Sequence, residues 1–247
     1  MNEHNYAYLK DQLRFAGFGD KLHQELREKM ETLRQFSLMY GKEYGKDAAA
    51  AILRFRKSTE SDLFFFNNYT LYLMATGVEP RQQTFQLKGM SGITMDEGFN
   101  LLCGRAVLQK FTNDKGQDYL AWQQLDFKNK DNNNNYRVKT YKDNYGTAFT
   151  DATSALTIFP MEPAKAEKII GSLEQGNLQP ALFKNGAEEV ALFIQYDPAA
   201  KDVILYDKDM KRLGNDEMKA FIRPERLRQD NLLPKKKERG NKKGLSI

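Results

Sequence analysis

The stretch TMDEGFNLLCGRAVLQKF, residues 94–111, contains a complete transition from helix to strand and sets the expected fold. Thr94 and Glu97 have the spacing of a capping box, in which each side chain accepts a hydrogen bond from the backbone N–H of the other residue. The apolar side chains that follow share one helical stripe: Met95, Phe99, Leu102 and Cys103. Gly104 is a typical helix terminator, and the alternating residues of 106–111 predict a strand.

Two more strands are predicted after this one, at 119–127 and 136–141, separated by polar turns that are typical of hairpins. The same order, one helix and then three or four strands, is found on either side. The sequence therefore predicts three units of one architecture, at about 20–88, 94–145 and 163–213. Hairpin-rich units with one helix each indicate an α+β fold of helix-plus-antiparallel-sheet units.

The first unit shows this pattern in its apolar residues. The apolar residues with helical spacing are Leu22, Leu26, Met30 and Leu33. The apolar residues that alternate as in strands are Phe36, Leu38, Tyr40, Ala51, Leu53, Phe55, Tyr69, Leu71, Leu73, Phe85 and Leu87. A separate leading helix, with an apolar stripe ended by Gly17, is predicted before this unit.

The third unit begins at Pro163, a favoured first helical residue, and its helix is expected to end at Gly176. Three short strands are predicted next, at 178–183, 190–196 and 203–206. Short helices are expected over 151–159 and after Asn215 or Asp216, either of which is a possible N-cap. We divide the chain into four segments, with the last expected to be disordered: 1–90, 91–160, 161–233 and 234–247.

Composition excludes several classes of protein. The chain has 247 residues, of which 40% are hydrophobic, and no apolar stretch approaches the roughly 18 residues of a membrane span. Its single cysteine excludes an internal disulfide, and its two histidines argue against a zinc cage or a histidine-based triad. We expect a globular cytoplasmic protein without a cofactor or a bound metal.

Positive charge is concentrated at the C-terminal end. The net charge is +5, and the last 14 residues contain one acid and six basic residues: Lys235, Lys236, Lys237, Arg239, Lys242 and Lys243. The rest of the chain holds 32 basic and 32 acidic residues and is formally neutral. This tail is a solubilising extension or a contact for nucleic acid.

Several phrases of the sequence are similar to those of a known group of proteins: FGD at 18–20, GRAV at 104–107, AWQQLDF at 121–127, DNYG at 143–146 and YDKDMKRL at 206–213. Over most of residues 8–213 the chain resembles a family of uncharacterised bacterial proteins that are associated with conjugative transposons and other mobile elements. The resemblance implies a genetic context, and the family has no established active-site residues to transfer.

Two strands are predicted to carry basic residues on the face opposite the core. If Ala51, Leu53 and Phe55 point inward, then Arg54 and Arg56 point outward. If Tyr136, Val138 and Thr140 point inward, the outward residues are Arg137, Lys139 and Tyr141. Such a mixture suits phosphate contact and base stacking, although arginine and lysine also keep the wet face of a sheet soluble. Trp122 is expected to be half exposed and to anchor a partner, or to pack against a neighbouring unit.

Candidate chemical sites are weaker. Asp126 and Lys128, with Asp118, resemble the core of a metal-dependent nuclease, but acid-x-lysine pairs occur here at their chance frequency. Cys103 has no histidine near it in sequence to act as a base, so a structural role is favoured. The loop 89–92 precedes a helix but lacks the lysine of a phosphate-binding loop. His23 is expected to be solvated or hydrogen-bonded.

These observations favour a non-enzymatic accessory protein of a mobile element that binds nucleic acid, RNA or DNA, or a nucleoprotein complex. One alternative is an anti-defence inhibitor, of the anti-CRISPR kind, that binds a host nuclease effector through protein contacts. Another is an unrecognised metal-dependent nuclease. No small-molecule substrate and no membrane contact are expected.

Overall fold

The computed structural model describes residues 1–75, 77, 79–142, 155–156, 159, 163–185 and 188–222. Within these residues the chain forms five helices and ten strands, and the strands make three antiparallel sheets. The predicted α+β class, with helices followed by hairpin-connected strands, is therefore confirmed. The predicted tail 234–247 and most of the predicted helix 151–159 lie outside the described residues. Ala155 and Leu156, within that helix, are helical.

The helices are α1 Glu3–Phe15, α2 His23–Thr32, α3 Met95–Leu102, α4 Pro163–Glu174 and α5 Asn215–Lys219. The first sheet has the order β1-β2-β3-β4, with strands Gln35–Tyr44, Asp47–Lys57, Phe64–Met74 and Arg81–Gln86. The second has the order β5-β6-β7, with strands Val107–Thr112, Asp118–Lys130 and Tyr136–Tyr141. The third has the order β10-β9-β8, in which β8 is Gln179–Asn185, β9 is Glu188–Asp197 and β10 is Asp202–Tyr206.

A first hydrophobic core lies between the four-stranded sheet and helices α1, α2 and α3. The predicted inward residues of the four strands are buried, apart from the half-buried Tyr40. Leu33 was expected on the buried stripe of α2 but is 45% exposed. It is the C-terminal cap of that helix, with φ −120° and ψ 151°, and this extended backbone turns its side chain off the stripe.

The second sheet contributes to two cores. Val107, Leu125 and Tyr136 belong to the first core, whereas Ala106 and Trp122 belong to a second one. This second core is completed by α4, by the strands β8 to β10 and by apolar residues that follow them. Since alternate residues of a strand point to opposite faces, β5 and β6 can supply both cores at once.

Helices α3 and α4 end in the same way, and their ends touch. After each helix comes a glycine with positive φ, Gly104 at 87° after α3 and Gly176 at 78° after α4. The N–H of the residue after each glycine donates to the carbonyl five residues before that donor. The buried Asn100 of α3 donates through Nδ2 to the Gln175 carbonyl at 2.7 Å, and Arg105 donates through Nε to the Gly176 carbonyl at 2.8 Å. A Cβ on Gly176 would lie 2.7 Å from the Ala106 carbonyl oxygen, so only glycine permits this approach. We call this contact the helix-end joint.

Strand β3 contains an extra residue that reverses its alternation. Its register with β2 shifts between Arg54 and Phe55, because Arg54 pairs with Asn68 but Phe55 pairs with Phe66. Asn67 is therefore unmatched, as in a β-bulge. Tyr69 points into the core, and regular alternation would point Phe65, four residues earlier, to the same side. Because of the unmatched residue, Phe65 instead lies on the other face and is 47% exposed.

Strand β7 does not follow its predicted alternation. Tyr136 is buried, but Val138 is 45% exposed and Thr140 is also exposed. β7 is an edge strand that pairs only with β6 among the described strands. No described helix covers Val138 and Thr140, so the expectation that they point into a core is wrong.

Candidate nucleic-acid interface

The outer face of the first sheet is the side turned away from α1, α2 and α3. It carries every second residue of the four strands, in rows that the pairing register defines. One row contains Gln35, Arg56 and Phe65, and the next contains Ser37, Arg54, Asn68 and Gln86. Arg54 and Arg56 are exposed on this face, as the sequence predicts.

Arg54 is held to the sheet by a neutral side chain. Its Nη1 donates to the Thr70 hydroxyl at 2.7 Å and to Asn68 Oδ1 at 3.4 Å, and the Thr70 hydroxyl also bonds the Thr84 hydroxyl at 2.8 Å. A buried threonine therefore fixes the direction of the guanidinium without neutralising its charge. Both of these hydrogen bonds use Nη1, and the guanidinium has further N–H donors on this exposed side chain.

Arg56 lies directly opposite Phe65 in the β2–β3 register. Directly opposed residues of antiparallel strands have Cβ atoms about 4.5–5.5 Å apart, so the cation and the exposed ring are neighbours. No carboxylate lies within ion-pair distance of either Arg54 or Arg56 in the described part of the chain. Glu43 is the acidic residue on the outer face of these strands. It lies six residues along β1 from Ser37, the partner of Arg54, or about 20 Å away.

The outer face also carries two exposed methionines, Met39 in the row next to that of Arg54 and Met74 in the row of Glu43. Met39 is 71% exposed and Met74 is 54% exposed, with the half-buried Ile52 and Tyr72 between them. The two methionines are two strands and two rows apart, so each is a separate exposed apolar side chain of this face. The outer face thus combines an aromatic ring and exposed thioether side chains with two arginines that form no ion pair among the described residues.

The second predicted basic set lies on β7. Arg137 and Lys139 are exposed, and Lys139 Nζ is 3.6 Å from the Asp126 carboxylate. Tyr141 is half buried against the second core, and its hydroxyl donates to Gln124 Oε1 at 3.4 Å. No hydrogen bond, ion pair or ring contact joins this set to Arg54 or Arg56 among the described residues. The structure therefore places the two basic sets on different sheets.

Trp122 is 2% exposed, so the expectation of a half-exposed partner anchor is wrong. Its ring lies 4.6 Å from that of Tyr196, which places it between β6 and the third sheet. Packing against a neighbouring unit, the alternative in the sequence analysis, is what the structure shows. The six basic tail residues from Lys235 to Lys243 lie outside the described residues.

The residues of the proposed nuclease pattern do not meet. Asp118 and Asp126 are eight residues apart on one strand, or about 26 Å. Each is engaged locally: Lys110 is the main cause that lowers the pKa of Asp118, and a hydrogen bond from Asn129 is the main cause that lowers the pKa of Asp126. Within the described ranges no three His, Cys, Asp or Glu side chains are grouped closely enough to hold a metal.

Cys103 packs at the first core, and the loop 89–92 precedes a helix whose N-terminus is already capped. Burial raises the pKa of the Cys103 thiol, which disfavours the nucleophilic thiolate, and the residue packs against the first core. At the start of α3 the Glu97 carboxylate accepts the Thr94 N–H at 2.8 Å, which confirms the predicted capping box. A carboxylate thus already occupies this helix N-terminus.

Phe65 is the interface residue that sequence reasoning missed. The run FFFNNYTLYL, residues 64–73, has apolar residues in both phases, and the unmatched Asn67 decides which phase faces the core. The two asparagines after three phenylalanines are the available signal, since asparagine is unfavourable within a regular strand.

None of the helices in the described part of the chain is both long and apolar enough to cross a bilayer. Comparisons with protein-family models, with curated proteins and with solved structures found no match to this chain.

Proposed function

We propose that the protein is a non-enzymatic accessory protein of a mobile element that binds single-stranded nucleic acid on the outer face of its four-stranded sheet. One observation carries the proposal: two exposed arginines without a carboxylate partner lie beside the exposed ring of Phe65. Arginine provides phosphate contacts, and an exposed ring provides a platform on which a base stacks. The mobile-element context rests on the sequence resemblance alone.

The amide side chains of the outer face support the same function. Asn68 and Gln86 share the row of Arg54, and Gln35 shares the row of Arg56. Such side chains offer both a donor and an acceptor to the edges of unpaired bases. Single strands are favoured over duplexes because the ring must reach the face of a base, and bases in a duplex are stacked on each other.

The test is fluorescence anisotropy with labelled single-stranded RNA, single-stranded DNA and duplexes over a range of salt concentrations. Replacing both Arg54 and Arg56 by alanine should lower the slope of log affinity against log salt by about 1.4, since each lost phosphate contact removes about 0.7 for single strands. Phe65→Ala should weaken binding by about 1–3 kcal/mol and leave the slope unchanged. Lys115→Ala, an exposed cation in the β5–β6 turn, is the matched control.

A second candidate function is supported by Met39 and Met74, whose exposed thioethers suit an adaptable protein interface. In this case the protein is an anti-defence inhibitor that binds a host nuclease effector. Deletion of 234–247 distinguishes the two, because nucleic-acid binding should weaken and lose salt dependence while protein binding should survive. Absence of RNA or DNA binding by the full chain at low salt would remove the first proposal.

A further inference from the structure

Two aromatic side chains of β3, Phe65 and Tyr72, share the outer face of the first sheet. They are seven residues apart, and regular alternation places residues an odd number apart on opposite faces. The unmatched Asn67 lies between them and adds one step to the strand, so both side chains point away from the helices. Phe65 is 47% exposed and Tyr72 is half buried. The β-bulge therefore brings to one face two rings that an unbroken strand would separate.

The pairing register gives the separation of the two rings. Phe65 pairs with Arg56, and Tyr72 pairs with Ala50, six residues earlier on β2. At about 3.4 Å per residue, the two rings are anchored about 20 Å apart along the sheet. A stacked nucleic-acid strand advances about 3.4 Å per nucleotide, so about six steps cover this distance. A strand of about seven nucleotides thus reaches from one ring to the other, and a more extended strand needs fewer.

Arg54 lies between the two rings. Its Nη1 donates to Thr70, two residues before Tyr72 on the same face, and to Asn68, on the side of Phe65. The guanidinium is therefore anchored over the stretch of β3 that separates the rings. A cation between two stacking platforms is positioned to contact a phosphate between two bound bases.

The ring of Tyr72 has small neighbours in the direction of β1. Its partner on β2 is Ala50, and the partner of Ala50 on β1 is Gly41. A Cβ on Gly41 would meet nothing within 4 Å, so there is open space above that strand. A planar base that stacks on Tyr72 can extend over both residues, because neither carries a side chain larger than a methyl group. Glu43, in the next row, opposes phosphate beyond this ring, so the site ends here.

We propose that Tyr72 is a second stacking platform, and that the outer face binds a single strand of about seven nucleotides or fewer between Phe65 and Tyr72. The bases at the two ends of this segment stack on the two rings, and Arg54 contacts a phosphate between them. The inference rests on the function proposed above, because it assigns a further residue to the same site. It adds a site size and an aromatic contact that the proposed function does not require.

The probes are labelled single strands of alternating adenine and cytosine, which do not pair with each other, in RNA and DNA series of about 3 to 12 nucleotides. Fluorescence anisotropy with the full-length protein measures their affinity. Tyr72→Ala should weaken binding of the nine-nucleotide strand by roughly 5- to 100-fold, with an equal loss at twelve. The loss should be smaller for strands that cannot span about 20 Å. The slope of log affinity against log salt should not change, because a stacking contact releases no counterion.

Three further variants serve as controls. Tyr72→Phe keeps the ring and should bind as the wild type does. Tyr72→Leu keeps an apolar side chain on the sheet, in case alanine destabilises it, and should show the same loss as Tyr72→Ala. Tyr8→Ala removes a tyrosine that is 46% exposed on α1, against the opposite face of the sheet, and should leave binding unchanged.

The possible failures of the inference and of the proposed function are distinguishable. If Tyr72→Leu binds the nine-nucleotide strand within about twofold of the wild type while Phe65→Ala does not, the second platform is wrong and the proposed function stands. A loss that is equal for strands of every length would also overturn the inference, since Tyr72 would then act on the fold of the sheet. Failure of the wild type to bind any strand at low salt would remove both.

Discussion

His23 is a histidine whose imidazole is turned into the protein. Its Nε2 atom is buried and lies 3.5 Å from Asp20 Oδ1, and its carbonyl accepts the Tyr6 hydroxyl at 3.0 Å. Burial is the main cause that lowers the pKa of His23 below its ordinary 6.5, against the opposite effect of Asp20. The folded state therefore takes up this proton less readily than the unfolded state.

This shift predicts a pH-dependent stability contribution. Above the unfolded pKa both states are neutral at His23, and the full contribution is present. As the pH falls through about 6.5, the unfolded state binds the proton first and the free energy of unfolding decreases. Denaturant unfolding from pH 8 to pH 5.5 should show this loss in the wild type and less of it in His23→Gln. His4→Gln, which changes the exposed histidine of α1, is the control and should retain the wild-type slope.

Sequence reasoning worked at residues whose environment is set by simple alternation. Arg54 and Arg56 are exposed because Leu53 and Phe55 are buried, which period-two spacing already predicts. It failed at Trp122 and Val138, where neighbouring elements decide the environment. Trp122 is covered by a sheet more than 50 residues away in sequence, and Val138 lies on an edge strand that no described helix covers.

Helices α3 and α4 contain one interior glycine each, and the two glycines have opposite surroundings. A Cβ on Gly98 would lie 2.8 Å from Phe85 Cε2 and 3.1 Å from Leu71 Cδ2, because α3 packs closely on the first sheet. A Cβ on Gly171 would meet nothing within 4 Å. Close helix–sheet contact therefore explains the first glycine but not the second.

Alanine at each position should separate these two cases. Both variants gain the same helix propensity, about 1 kcal/mol, so their difference reports steric crowding alone. We expect Gly171→Ala to be neutral or stabilising and Gly98→Ala to be less stable than Gly171→Ala by about 1–3 kcal/mol. Urea unfolding measures both, and equal midpoints would contradict the close packing of α3.

At the level of elements, helix ends and strands were well predicted. The capping box at Thr94 and the glycine stops at Gly104 and Gly176 are local signals, and the structure confirms them. The sequence did not predict that α3 contacts both β4 and β5, so that it lies between two sheets. Periodicity identifies an apolar stripe but not the element that the stripe contacts, which explains this omission.

The described residues form two cores that share one sheet, and the helix-end joint connects the two cores a second time. Because β5 and β6 contribute side chains to both cores, loss of one core should expose the other. Asn100 adds to this coupling through its bonds to Gln175 and to Asn177 Oδ1 at 2.9 Å. We therefore expect the described part of the chain to unfold in one cooperative step.

The sequence supplies a natural probe for each core. Cys103, the single cysteine, packs against the first core, and Trp122, the single tryptophan, lies in the second. Thiol labelling of Cys103 should be slow in the native protein and should rise at the same urea concentration at which Trp122 fluorescence changes. Asn100→Ala should lower both midpoints together and should reduce the free energy of unfolding by about 1–3 kcal/mol, since it leaves buried groups without partners. Separated midpoints would show that the cores unfold independently.

The shared sheet also has a consequence for synthesis of the chain on the ribosome. The first core can close once Tyr136 has been made, but the opposite face of β5 and β6, with Trp122, has no cover until the third sheet and α4 exist. The 80 residues from 142 to 221 take about 4–16 s to translate at roughly 5–20 residues per second. During that interval a folded N-terminal half exposes an apolar sheet face to solvent, so we expect this nascent chain to need protection by chaperones.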